Sequence, residues 1–505
     1  MHSSHSLRIG VAVDGNAVPA WIAALLHRVE TSGVARIECL TVHPPTAHRV
    51  PLSTALYQHL DRTLFGVKDD AQQPIELASA LPRLTSLPSQ APVDVWLHLS
   101  VQPLPPGDAP LGTWYFRPDL LDGSVGLSAV GTHQLLASAA LFARYGNTDY
   151  CIYRASTGTH AFSARRSGQR LCWLAHAFVA RRLQALHECG PDVFYARHGT
   201  PATAPLTTRP TAFPLTRFAA RTFHRGLSEL LQRTQWHVYY GPTTAGNLPA
   251  SFDDFAPCAS APNTYWADPF PFRHEGSLYV FVEEYDQQLG KGHIAVQPFD
   301  QRGPCGNAVR VLEANHHLSY PFVFAHEGEI YLMPESSDRG TIDIYRCLRF
   351  PDQWTHSCTL FEGLYAVDST LFYREGHWWL FTCLAPHPQS PARSELFLYY
   401  ADSPLAARWT PHPLNPVVSD VRWARPAGRI AEVAGRLLRP AQDCSRRYGY
   451  GLHLMEIVEW DTQRYAEREY KQYLPQGKRL GMHTFNRDMD WTFVDIKSRA
   501  RRWLG

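Results

Sequence analysis

The sequence predicts two folds in one chain. The N-terminal part reads as an open α/β sheet and the C-terminal part as an all-β, five-bladed β-propeller. Three observations carry this reading: a hairpin phrase recurs four times, the opening residues alternate strand and helix patterns, and an aperiodic Pro/Thr/Ala-rich stretch lies between them. The length of 505 residues agrees, because one hydrophobic core does not grow that large.

LRIGVAVD at residues 7–14 is an apolar, β-branched run that ends in turn residues. Trp21, Ile22, Leu25, Leu26 and Val29 then follow at helical spacing, and a second strand is expected over 35–42. This is the βαβ opening of an open α/β sheet. Helical hints at 52–64, a strand at 94–101, a short strand at 112–116 and a long helix over 171–189 complete the expected N-terminal domain, 1–198. The aperiodic segment GTPATAPLTTRPTAFP starts a linker and connecting helix over 199–235. That helix, about 215–234, carries Arg217, Arg221, Arg225 and Arg233, read as a solvated face.

The propeller is expected over 236–495. Its hairpins read ADPFPF…GSLYVFVEE, SYPFVF…GEIYLMPES, VDSTLF…GHWWLFTCL and ARPAGR…GRLLRPAQD. Their turn glycines, Gly276, Gly328, Gly376 and Gly435, are 52, 48 and 59 residues apart by subtraction. A period near 50 with several short strands per unit marks a propeller blade. Four repeats plus strand-like ends at 236–240 and 483–495 give five blades closed by the two ends. Residues 496–505 read as a basic tail.

Bulk properties exclude some functions. Lys and Arg number 48 against 46 Asp and Glu, so there is no electrostatic footprint for nucleic acid. No apolar run approaches the length of a membrane-spanning helix, and the N-terminus lacks a signal-peptide pattern. Ten cysteines without any CxxC point to a reducing compartment, and a cytoplasmic setting is expected.

Blades put their innermost strands around a central channel, so equivalent repeat positions form a ring. Asp268, Tyr320, Asp368 and Arg425 head the first strands. Seven residues after each turn glycine stand Glu283, Glu335, Cys383 and Gln442, with Glu284 and Asp443 beside them. Core positions of a repeat should be apolar and alike, whereas these are polar and different. Carboxylates clustered near a guanidinium perturb one another's pKa values, as glycoside chemistry requires of its acid and its base or nucleophile. The expected catalytic residues are Asp268, Glu335 and Asp368. Glu283, Glu284, Tyr320, Arg425, Gln442 and Asp443 are expected to bind substrate. The structural alternative is that these groups cap strands.

The segments YWADPFPF, YPFVFAHEGEIYLMPESS, RFPDQW, AVDSTLFYREGHWWLF and RPAQDCSRRYGYGL resemble the N-terminal domain of glucosamine inositolphosphorylceramide transferases and its bacterial relatives. The resemblance covers about 236–495. It implies a five-bladed propeller similar to glycoside hydrolase family 43, with Asp268 at the place of a catalytic base. Tyr320 departs from that family's second carboxylate, so Asp368 and Glu335 stand in for the remaining pair. His483 falls where some relatives have a channel histidine near a bound ion; an ordinary buried histidine is the alternative. WLHLSVQP at 96–103 is similar in spacing to the NxHxSxxP motif of folate-dependent formyltransferases, with His98 at the motif's histidine. Trp96 replaces the motif's asparagine, and no aspartate stands in a D-x-G setting. A degenerate domain is therefore expected, one that binds a ligand or scaffolds the propeller without a folate-type cofactor. The functional expectation is a carbohydrate-active protein that hydrolyses or transfers a glycosyl unit. The alternatives are a non-catalytic sugar-binding scaffold, or formyl or acyl transfer to an amino sugar.

Overall fold

The structure, a computed structural model, describes residues 6–45, 50–104, 109–202, 215, 218–219, 232–385, 387 and 392–501. The chain divides into two compact units, Met1–His224 with Pro386–Pro391, and Arg225–Ala385 with Ala392–Gly505.

The first unit is built on a seven-stranded sheet. Its spatial order is Ala35–His43, Leu7–Asp14, Val95–Leu99, Thr113–Phe116, Leu136–Tyr145, Thr148–Gly158 and Thr200–Pro201. The first four run parallel and the last three pair antiparallel. The helix Ala20–Glu30 buries Trp21, Ile22, Leu25, Leu26 and Val29, the face its periodicity predicts. The helix expected over 171–189 is two helices, Ala164–Ala175 and Phe178–Cys189. The His176 ring nitrogen lies 2.5 Å from the Trp173 carbonyl, which a continuing helix would offer to the Ala177 amide.

The second unit is a propeller of five sheets. The first blade is Thr264–His274, Ser277–Asp286, Lys291–Asp300 and Gly303–Pro304; Val309–Leu312 also pairs with its third strand. The second is Ser319–His326, Glu329–Glu335, Thr341–Arg349 and Gln353–Glu362. The third is Ala366–Arg374, His377–Leu384, Leu396–Ala401 and Thr410–Pro411. The fourth is Arg425–Pro426, Arg436–Asp443, Gly451–Trp460 and Tyr465–Tyr473, with Ala431–Val433 on its second strand. The fifth draws on both ends of the unit: Arg479–Arg487, Trp491–Arg501, Gln232–Pro242 and Ala256–Pro257.

This closing sheet corrects two expectations. Residues 232–234, placed at the end of a helix, begin a strand. Residues 496–501, placed in a basic tail, continue the strand that pairs with it, Trp236 opposite Lys497. An edge strand gains a ladder of hydrogen bonds by this pairing, which outweighs the weak helical preference of the local sequence. Arg217, Arg221 and Arg225 lie outside the described residues.

Two local devices repeat around the propeller. The hairpins turn through two left-handed residues, Glu275-Gly276, Glu327-Gly328, Glu375-Gly376 and Ala434-Gly435, the conformation of a tight two-residue β-turn. The first strands then break register between Ala267 and Phe270, Ser319 and Phe322, Val367 and Thr370, and Met482 and Phe485. At three of these bulges a non-glycine residue is left-handed: Asp268 (φ 49°), Tyr320 (φ 45°) and Asp368 (φ 52°). Each such residue costs on the order of 1–2 kcal/mol. The bulge re-aims that side chain out of the strand's alternation and toward its neighbours at the channel. Below the bulges, Phe270, Phe322, Phe281 and Leu332 are buried in the apolar core shared by the first blades.

Candidate functional site

Equivalent positions on the first strands of the five blades are Asp268, Tyr320, Asp368, Arg425 and His483, at intervals of 52, 48, 57 and 58 residues by subtraction, and all but Arg425 sit at a bulge. Hydrogen bonds join successive blades through them. Asp268 Oδ2 accepts the Tyr320 amide at 3.1 Å, and the Tyr320 hydroxyl accepts the Gly428 amide at 2.6 Å and meets Thr370 Oγ1 at 2.9 Å. Arg425 grips Asp368 with Nε at 2.5 Å and Nη2 at 3.1 Å, and reaches Glu335 Oε2 at 3.5 Å. Gln442 also donates to Asp368, at 2.5 Å. The Arg425 guanidinium stacks over the Tyr448 ring at 4.8 Å.

The fifth blade contributes a group that the repeat alignment does not contain. Asp495 Oδ1 accepts the amides of His483 and Thr484, both at 2.9 Å, and its Oδ2 accepts the Asp268 amide at 3.0 Å. His483 Nδ1 lies 2.5 Å from that Oδ2 and 3.5 Å from Asp268 Oδ1, while Thr484 donates its hydroxyl to Asp268 Oδ1. The one sequence signal for Asp495 is a carboxylate inside the apolar strand phrase WTFVDI.

Asp268, His483 and Asp495 present donor atoms within 4.8 Å of one another, the grouping a cation site requires. The donors are already spent. Asp495 takes three backbone N–H groups plus the imidazole, and both Asp268 oxygens accept protein hydrogen bonds. An ion would have to displace the His483–Asp495 contact, and His483, whose pKa the two carboxylates raise, already bridges them.

Electrostatics follow from crowding. Asp268, Glu283, Glu335, Asp368 and Asp495 face Arg425 and His483, and a buried set with that excess of carboxylates cannot be fully ionised. Burial pushes Asp268 up to about 6, His483 opposes this, and Asp495 and Asp368 add to it. Burial likewise carries Asp368 to about 7; Arg425 pulls against it and Glu335 pushes with it. Glu283 rises well above the ordinary carboxylate range through burial and then through Asp268, Glu335, Asp495 and Asp368. Burial alone would lower His483, but Asp495 and Asp268 outweigh it and raise its pKa.

Strand alternation separates the sequence candidates. Glu283 and Gln442 sit with the ring, whereas their neighbours Glu284 and Asp443 belong to internal hydrogen-bond sets. Glu284 accepts the Trp266 indole at 2.8 Å and contacts His293 Nε2 at 2.7 Å. Asp443 accepts the Ser445 amide at 2.8 Å and lies 3.5 Å from His453. The structure thus brings together Asp268, Glu283, Glu335, Tyr320, Asp368, Arg425, Gln442 and His483, and leaves Glu284 and Asp443 outside. His317 stands 3.4 Å from Glu283, and Tyr265 and Tyr285 stack at 4.9 Å nearby. In the other unit His98 is buried, with Nε2 2.9 Å from the Gln102 carbonyl, and Asp14 accepts the Ser100 hydroxyl at 2.6 Å.

Residues 254–498 match the family model described as glucosamine inositolphosphorylceramide transferase 1, N-terminal. Curated relatives agree with that domain family. The chain is 32% identical to glucosamine inositolphosphorylceramide transferase 1 of Oryza sativa subsp. japonica over 242 residues, 47% of this chain and 32% of the relative. It is 32% identical to the Arabidopsis thaliana protein of the same name over 228 residues, 45% of this chain and 29% of that one. The match therefore takes in about a third of the length of these relatives. Among solved structures, a thermostable family-43 glycoside hydrolase aligns at 12% identity and TM-score 0.33, over 48% of this chain and 96% of its own. The catalytic domain of a Coprinopsis cinerea family-62 α-L-arabinofuranosidase aligns at 12% identity and TM-score 0.35, over 52% and 97%. No helix among the described residues is long and apolar enough to cross a membrane.

Proposed function

We propose that the propeller acts on a glycoside or glycoconjugate, hydrolysing or transferring a glycosyl unit with the carboxylates of its channel. The observation that carries this reading is a largely buried cluster of carboxylates, Asp268, Glu283, Glu335 and Asp368, crowded at one site in unlike surroundings. Burial and the surrounding carboxylates raise Glu283 well above the ordinary carboxylate range, while Asp268, held by His483 and the Thr484 hydroxyl, rises only to about 6. An ionised carboxylate and a protonated carboxyl are the two partners that glycosidic bond cleavage needs.

In this reading Asp268 is the base or nucleophile. Its strained backbone fixes its direction, and the Tyr320 amide and Thr484 hydroxyl orient its two oxygens. Glu283 donates the proton to the leaving oxygen, with Glu335 as the alternative donor at the neighbouring blade. Arg425 and Gln442 both donate to Asp368 and fix it, and the Tyr320 hydroxyl accepts the Gly428 amide. The match to a family named for transfer of glucosamine to a lipid-linked inositol favours a glycoconjugate as substrate. Asp268→Asn should lower turnover of the matching glycoside by at least about 100-fold. Glu283→Gln against Glu335→Gln identifies the donor, because only the donor's loss is relieved by a substrate with an activated leaving group. Full activity in Asp268→Asn sinks the proposal.

One observation favours a second reading, a non-catalytic sugar-binding module. Tyr320 occupies a ring position where a carboxylate would complete a triad, and Asp368 is saturated by Arg425 and Gln442. Glycan binding that persists in Asp268→Asn, with no turnover by the unaltered chain on a broad glycoside panel, would establish it.

A further inference from the structure

A polar cavity lies in the propeller, lined by residues of the fourth and fifth blades. Its volume is about 560 Å³, and Arg429, Arg487, Asn486, Phe485 and Glu432 line it. Arg429 follows Gly428, whose amide meets the Tyr320 hydroxyl, and its own amide donates to Asn486 Oδ1 at 2.8 Å. The guanidinium lies 4.3 Å from the centre of Phe322 and 5.7 Å from that of Phe270. It donates to the Val323 carbonyl. Arg487 donates to the carbonyls of Asn247 and Thr244 at 3.1 and 3.2 Å.

Neither guanidinium has a carboxylate partner among the described residues. Carbonyls and aromatic faces accept a cation's hydrogen bonds and its field, but they bring no opposite charge. Of the two carboxylates in the lining, Asp488 is already held by Arg273, at 2.9 and 2.6 Å. Glu432 is exposed and forms no ion pair with either arginine. Arg273 is shared between Asp488 and Asp490, so neither aspartate turns to Arg429 or Arg487, and each of those two guanidiniums lacks a carboxylate of its own. Burial also lowers Arg429 to about 10, with only the Tyr320 phenol raising it, and burial lowers Arg487 as well. Both cations are therefore held at a cost that a bound anion would relieve.

We propose that this cavity binds an oxyanion, the phosphate or carboxylate group of a small ligand, between Arg429 and Arg487. The fit is chemical: planar guanidinium groups donate paired N–H bonds to an oxyanion, and the remaining Arg429 donors are free to do so. The site is separate from the ring and binds a group of opposite electrostatic preference.

Calorimetric titration of the full chain with inorganic phosphate and, separately, with glucuronate tests this, with glucose as the neutral control. One anion should saturate below about 10 mM, and the one that does identifies the ligand's charged group. Arg429→Met and Arg487→Gln should each weaken that binding by about tenfold or more, and Asp268→Asn should leave it unchanged. If neither anion saturates, if both arginine variants bind normally, or if Asp268→Asn abolishes binding, the proposal is overturned. If Arg429→Met loses the β-sheet circular dichroism of the parent, the Arg487→Gln result alone decides, since that side chain is half-buried and packs no core.

Discussion

At the scale of single residues, neighbours in sequence have opposite duties. Glu283 and Glu284 are adjacent, yet one joins the channel ring and the other ties Trp266 to His293. Glu284→Ala should destabilise the propeller by roughly 2–5 kcal/mol, because it strands two buried donors, and the change is read as a lower unfolding midpoint. Asp268→Asn keeps the side chain's shape and should lower activity instead. The pH dependence separates them further. Asp268 rises from 3.8 in the open chain to about 6, and Asp368 from 3.8 to about 7. A group with a raised folded pKa contributes stability below its unfolded value and loses it as pH rises through the folded one. Each carboxyl therefore makes stability fall with rising pH, between about 4 and 6 for Asp268 and about 4 and 7 for Asp368. Denaturant midpoints across that window should show a more positive slope in Asp268→Asn and in Asp368→Asn than in the parent.

At the scale of elements, the hairpins were the most legible part of the chain. Their Glu-Gly turns, apolar alternation and near-50-residue period survive in the bare sequence because each is a local requirement of one blade. The bulges were not legible. Nothing in ADP, SYP or VDS announces a left-handed residue, since the conformation is imposed by neighbouring blades. Asp495 escaped for another reason: its hairpin, Arg479–Arg487 with Trp491–Arg501, turns through Asp488-Met489-Asp490 and lacks the glycine on which the other four align. The helix break at His176 depends on a side chain capturing a backbone carbonyl, which periodicity does not report. The closing strand itself is open to test. Val238 is fully buried opposite Asp495, and Val238→Asp would place an uncompensated charge there, costing roughly 3–5 kcal/mol. Cooperative thermal unfolding of the propeller should shift down accordingly, and an unchanged midpoint would show that closure contributes little.

At the scale of the whole molecule, each unit owns a core. The first buries Trp21, Trp114 and Phe178 around its mixed sheet, and the second distributes its apolar clusters blade by blade. Residues 232–501 expressed alone should therefore give a folded, β-rich protein with a sharp thermal transition; a chain without such a transition would show that the propeller depends on the first unit. The closure also sets a timetable. The strand Gln232–Pro242 leaves the ribosome 249 residues ahead of Trp491, where its partner begins, as 491 minus 242 gives. At about 5–20 residues per second, that is a wait of roughly 12–50 s. Throughout that interval the strand has only the short Ala256–Pro257 segment beside it, and the partner that pairs along its whole length has not been made. Synthesis speed over the last half of the message, and the chaperones present during it, thereby become determinants of how much of this protein reaches its native state.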